Sequence, residues 1–270
     1  MGIFSKYFSL FSYSIHHPKK GLSLLNELKQ SNEHSNQVIK KHSAKSLTLE
    51  KCLDIVSQEN SFSRKQLIEN TSKLEEHFRS YFDKMKNEDF PSKKKPYPTD
   101  YSINSDSRLF LYGLCKLVRP DVIIETGVAY GLSSSYILQA LHENNNGVLY
   151  SIDGVFRPWE SVEMIGDAIP KNLRDRWKLV VGSSLIKLKE TIQSLDKIDI
   201  FLHDSLHTYK NMLFEFNTSW SSIKKNGFLI SDDVSENNAF LDFYSSKNKS
   251  TVLLADRKNN HVILGLIRKD

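Results

Sequence analysis

Apolar positions along this chain follow two rhythms that change near residue 105. Before it the sequence is polar, rich in Lys, Ser and Asn, and its apolar residues recur at helical spacing. Ser63 followed by Gln66 has the form of a capping box, which satisfies the free N–H groups at a helix start. Behind it Leu67, Leu74, Phe78, Tyr81 and Met85 fall on one helical face, and Pro91 closes the segment. A weaker amphipathic stretch, Leu49, Leu53 and Val56, precedes that helix. Lys93, Lys94 and Lys95, followed by Pro96 and Pro98, read as a linker. Residues 1–98 are therefore expected to form a helical extension, and 105–270 a domain.

In the second part short apolar runs alternate with helix-compatible stretches. Runs over 122–126, 148–152, 179–181, 198–202 and 228–231 do not alternate in polarity. That is the pattern of strands buried on both faces of a parallel sheet. A helix is expected over 132–142. Residues 251–255 and 262–267 are separated by too little chain for a crossover helix, so they pair as a hairpin. The expected fold class is α/β: a doubly wound, mostly parallel, seven-stranded sheet closed by a C-terminal antiparallel β-hairpin.

Candidate chemistry gathers at the ends of these runs. His203-Asp204-Ser205-Leu206-His207 follows the fourth run, and Asp232-Asp233 follows the fifth. Adjacent parallel strands ending at one edge would bring Asp204, Asp232, Asp233 and His207 into one crevice. Three carboxylates there suit a hard divalent cation such as Mg²⁺, with His207 as a base beside it. Each residue has a plainer reading too. Asp204 could cap the helix starting near Thr208, His207 could be a hydrogen-bonded structural histidine, and the acidic pair could be a solvated strand end. His203 reads as packing or support. Met212, Phe216 and Trp220 repeat at helical spacing and read as core.

The first run leads into Glu125-Thr126-Gly127-Val128-Ala129-Tyr130-Gly131-Leu132-Ser133. Glycines at a strand-to-helix turn let the backbone approach a ligand, and the helix N-terminus offers free N–H groups. Asp153 ends the second run, where an acid can accept both hydroxyls of a ribose. A tight turn that merely packs helix on sheet is the alternative.

Composition narrows the field. Apolar residues make up 39% of 270, enough for a real core, and the two cysteines, Cys52 and Cys115, lack metal or disulfide spacing. A reduced, cytoplasmic protein is expected. The net charge of +5 comes with no nucleic-acid motif, so no nucleic-acid partner is expected. No run has the length of an integral membrane segment.

Taken together, the Glu-x-Gly-x-x-x-Gly turn, Asp153, the closing hairpin and the later carboxylates resemble a class I S-adenosylmethionine-dependent methyltransferase with a Rossmann-like sheet. Residues 201–234 are similar to the subgroup of macrocin-type sugar O-methyltransferases and cephalosporin hydroxylase-related proteins. The similarity spans about residues 105–267, and Ala129 departs from the commonest glycine pattern. The resemblance implies S-adenosylmethionine as donor. Glu125, Gly127 and Ser133 would meet its methionine end, Asp153 its ribose, and Ser183 and Ser184 the adenine side, with Gly131 and Asp204 also binding the cofactor. It implies O-methylation of a small-molecule acceptor, a sugar or other vicinal diol. The N-terminal helices would serve as lid, specificity element or homo-oligomer contact. An NAD-linked oxidoreductase and a non-catalytic binding scaffold are the rival readings.

Overall fold

The computed structural model describes residues 3–35, 38–42, 44–57, 62–99, 103–258 and 261–270. Its centre is one sheet of eight strands: β1 (Ser46–Leu47), β2 (Val122–Thr126), β3 (Val148–Asp153), β4 (Trp177–Val181), β5 (Ile198–His203), β6 (Ile223–Asp232), β7 (Thr251–Ala255) and β8 (Val262–Arg268). Their order across the sheet is β1-β7-β8-β6-β5-β2-β3-β4. The pairs from β6 to β4 are parallel, and β8 lies antiparallel between β6 and β7. The expected hairpin therefore closes the sheet. One expectation needs correction: the described residues form eight strands, not seven. The eighth, β1, is two residues long and pairs parallel with β7. Two residues are too short to leave a periodic signal.

The helices are α1 (Ile3–His16), α2 (Pro18–Ser35), α3 (Leu49–Val56), α4 (Arg64–Met85), α5 (Ser105–Val118), α6 (Leu132–Asn144), α7 (Ser184–Gln193), α8 (Tyr209–Trp220) and α9 (Ala239–Ser246); those from α3 onward cover the sheet, while α1 packs on α2 and α2 on α8. The capping box at Ser63 and Gln66 forms as expected and starts α4. On α4 the side chains of Leu67, Leu74, Phe78 and Met85 are buried, in the same cluster as Ile123 and Leu149 of the sheet. Between them and the sheet lies α5, where Gly113 lets α3 come close. A Cβ on Gly113 would stand 2.9 Å from the Leu53 side chain and 3.3 Å from Leu67. The other face buries Met212 and Phe216 of α8 with Phe240 and Phe243 of α9.

The expected linker is held to the domain. Tyr97 is buried against Tyr130, with ring centroids 5.1 Å apart, and the Tyr130 hydroxyl donates to the Tyr97 carbonyl at 2.9 Å. Lys93 donates to the Glu160 carbonyl at 2.9 Å.

Strand order decides where a site can form. From β2 the chain moves outward through β3 to β4, then returns to β5 on the other side of β2. Connections leaving β2 and β5 in opposite directions open a crevice beyond the carboxyl ends of the strands. Register then aligns three residues across it. Thr126 stands opposite His203, and His203 opposite Ser231. The next residues, Gly127, Asp204 and Asp232, begin the loops at that edge.

Candidate active site

The turn between β2 and α6 is built by left-handed backbone. Gly127 and Gly131 have φ of 85° and 88°, and Ala129 takes φ 48° between them. Ala129 thus adopts the conformation for which glycine is usually required. Gly127 has no room for a side chain: a Cβ there would lie 1.9 Å from the Asp204 carbonyl oxygen. Asp153 braces the turn. Its Oδ2 accepts from the backbone N–H of Val128 at 2.9 Å and Ala129 at 3.0 Å, and Oδ1 accepts from Gly154 at 2.6 Å.

Glu125 lies beneath the turn, fully buried, and accepts from the hydroxyls of Ser134 and Ser151. Burial pushes its carboxyl up to about 7, against the pull of those hydroxyls. Its Oε2 has no hydrogen-bond partner among the described residues.

On the β5–β6 side the acids converge. Asp204, His207 and Asp232 each present a ligand atom within 4.8 Å of the others. Nε2 of His207 lies 3.8 Å from Oδ1 of Asp204, and Nδ1 lies 3.6 Å from Oδ2 of Asp233. Burial raises the carboxyl of Asp204 well above the usual range, and its proximity to Asp232 and Asp233 adds to the rise. Asp232 is raised in the same way, by burial and then by Asp233. Among the described residues no Lys or Arg pairs with these three acids. Crowded carboxylates without a counter-charge are costly, and a divalent cation is the simplest group that would relieve them. The donor set fits such an ion. Burial, and then His203, lower the pKa of His207 to about 3, so its ring is neutral at neutral pH. Its Nε2 is buried without a partner among the described residues.

Behind the loop from Asp204 to Thr208 stands Glu215 of α8, fully buried. It accepts from Thr126 at 2.5 Å, Ser205 at 2.8 Å and Asn211 at 3.1 Å, and pairs with Nδ1 of His203 at 2.6 Å. One carboxylate thus fastens the end of β2, the end of β5 and the loop that carries the cluster. Burial alone would raise it, but His203 and hydroxyl donors, Thr126 among them, outweigh burial and hold it at about 2.

A cavity of about 360 Å³ joins the two halves. Of the residues singled out in the sequence, Gly127, Ser133, Asp204, His207, Asp232 and Asp233 line it. Glu125 and Asp153 act on the turn from behind it, and Gly131 starts α6. Ser183 and Ser184 follow β4, where Ser183 precedes α7 and Ser184 begins it. The plainer reading of Asp204 fails, because Thr208 caps α8 and accepts from the backbone of Asn211. Sequence reading missed Ile103, Asn104, Tyr130 and Ile263 in the lining, and the role of Glu215. Asn104 leaves a signal: it precedes Ser-Asp-Ser and caps α5 by accepting from the Asp106 backbone at 2.8 Å. Ile263 arrives from the distant hairpin and leaves none. A larger cavity of about 750 Å³ lies around Thr48, Arg64 and Asp106. Arg64 and Asp106 already satisfy each other there, through two hydrogen bonds.

Residues 124–234 match the family model described as a methyltransferase domain. Similar solved structures span nearly their whole length. An O-methyltransferase from Bacillus cereus in complex with SAH is 15% identical, covering 82% of this chain and 97% of that one at a TM-score of 0.55. The O-methyltransferase TomG from Streptomyces achromogenes, in complex with SAM and involved in tomaymycin synthesis, is 14% identical, covering 82% and 97% at 0.53. An SAH-bound methyltransferase from Podospora anserina is 14% identical, covering 85% and 100% at 0.51. At these identities the likeness shows a shared fold. No curated protein sequence matches the chain.

Proposed function

We propose that this protein is an S-adenosylmethionine-dependent O-methyltransferase acting on a vicinal diol of a sugar or related small molecule, with a divalent cation held by Asp204 and Asp232. The observation that carries this reading is the meeting of Gly127, Asp204, His207 and Asp232 around one cavity at the end of β2, β5 and β6. The donor would supply a methyl group already activated by its sulfonium, leaving the protein to align the acceptor and deprotonate it. The turn from Gly127 to Ser133 holds the donor end, with α6 presenting free N–H groups. Asp153 sets the shape of that turn and keeps lone-pair capacity for a ribose.

A divalent cation in this donor set would lower the pKa of an acceptor hydroxyl and fix two neighbouring oxygens in place. The neutral ring of His207 offers an unpartnered nitrogen that takes the hydroxyl proton as the bond to carbon forms. A second reading of His207 has its own support. Its ligand atom lies in the same 4.8 Å group as those of Asp204 and Asp232, so it serves equally as a third ligand. Imidazole in the set would then favour a softer ion than Mg²⁺.

Methyl transfer to a panel of catechols and sugar diols tests the proposal. Chelation by EDTA should abolish turnover, and Mg²⁺ or Mn²⁺ should restore it. Asp232→Asn should lower kcat/KM by roughly 100-fold or more while leaving the donor's affinity within a few-fold. Full activity in the chelated enzyme would remove the cation from the account. Donor binding without transfer to any acceptor would favour the scaffold reading.

A further inference from the structure

The net positive charge of this chain lies entirely at its start. Residues 1–45 contain seven lysines and two glutamates, a surplus of five that equals the net charge of the whole chain; four of the lysines and both glutamates fall within residues 3–35, and Lys40 beyond them pairs with Asp242. Residues 46–270 are neutral overall. The same stretch exposes large apolar side chains. Phe8 is 73% and Phe11 66% exposed, and Ile15 continues their 3–4 spacing on one face of α1. Leu22, Leu25 and Leu28 are exposed along an arc of α2.

The two helices do not hide these residues against each other. They close over a small-residue contact, where a Cβ on Gly21 would stand 2.7 Å from that of Ser14, and Lys20 donates to the Tyr13 hydroxyl at 2.9 Å. Nor does the body cover them. The other side of α2 is tied down, Glu27 to Arg157 at 2.8 Å and Gln30 to Thr208 at 2.6 Å. Those anchors follow β3 and β5, at the carboxyl edge of the sheet. The hairpin of α1 and α2 thus turns an apolar, basic surface away from the protein beside the candidate site.

We propose that this hairpin docks on an anionic lipid bilayer, seating the apolar side chains of α1 and α2 among the acyl chains and its lysines among the headgroups. Amphipathic helices with Phe and Leu on one face and Lys around it lie in the plane of such an interface. Anionic headgroups supply the charge that the surface lacks. A second copy of the chain would supply the opposite. Two-fold pairing sets the same patch against itself, bringing together two hairpins that each carry four lysines against two glutamates. No described helix is long and apolar enough to cross a membrane, so the contact is peripheral. The inference stands on charge and exposure and does not depend on the methyl-transfer reading.

Co-sedimentation of the full chain with vesicles tests it, using phosphatidylcholine alone or with about one-third phosphatidylglycerol. The chain should bind the mixed vesicles, weakly at high salt, and leave the neutral ones. Phe8→Ser/Phe11→Ser/Ile15→Ser and, separately, Lys19→Glu/Lys29→Glu should each weaken binding roughly tenfold or more with Tm unchanged. Failure to sediment with mixed vesicles would overturn the proposal, as would equal binding to both compositions or binding that neither variant alters. A two-chain mass by light scattering that the Phe8 variant reduces to one would assign the face to a second copy instead.

Discussion

At the scale of single residues the site rests on a contrast between two kinds of buried carboxylate. Glu215 is satisfied on every side by hydroxyl, amide and imidazole partners, and its carboxyl is held at about 2. Asp204 and Asp232 are raised by burial and by repulsion from neighbouring carboxylates. Satisfied groups stabilise a fold, whereas crowded ones are kept at a cost in stability where a ligand or cation relieves them. The sign for Glu215 follows from its depressed pKa. Its contribution is present above the ordinary glutamate value and is lost as pH falls through about 2. Glu215→Gln leaves His203 without its carboxylate and should cost about 3 kcal/mol at neutral pH. Denaturant unfolding should show that cost shrinking as pH falls from about 4.5 toward 2. An unchanged midpoint at pH 7 would mean that the network does not support the loop carrying Asp204 and His207.

At the scale of elements, legibility followed periodicity. The five parallel strands and the closing hairpin were readable because each contains a short apolar run with punctuated ends, but β4 is not buried on both faces as expected: it ends the sheet and leaves Val181 exposed. The capping box announced α4, and Leu67, Leu74 and Phe78 marked its inner face correctly. What the pattern did not reveal was what that face packs against. A helical stripe is the same whether it covers a separate extension or the main core, and here it covers the main core. β1 was invisible for want of length, and α5 for want of a clean stripe, since Ser107, Leu109, Phe110, Leu111 and Tyr112 are buried all round it. In the site, strand ends predicted the acidic cluster, while Ile103 and Ile263 come from elements brought near only by tertiary folding. The expected energetic result is large. Leu67 is fully buried, so Leu67→Ala should cost about 2–5 kcal/mol. A chain begun at residue 99 should fail to unfold cooperatively. Cooperative unfolding of that shortened chain, with the full chain's midpoint, would show α3 and α4 to be dispensable.

For the molecule as a whole, topology converts sequence into chemistry. Reversal of strand order at β2 opens the crevice, and level registers set Gly127, Asp204 and Asp232 side by side across it. The close approach of Gly127 to the Asp204 backbone then locks the turn to the acidic loop, so the donor side and the cation side form one unit. That coupling is the central claim, and binding of the demethylated donor tests it most directly. Calorimetric titration of S-adenosylhomocysteine into the metal-stripped protein should give one site of roughly micromolar affinity. Gly127→Ala, whose added carbon would meet the Asp204 carbonyl, should weaken it by at least about tenfold while the chain stays folded by circular dichroism. Binding that Gly127→Ala leaves untouched, or no binding to the folded wild-type chain with or without Mg²⁺, would contradict the account.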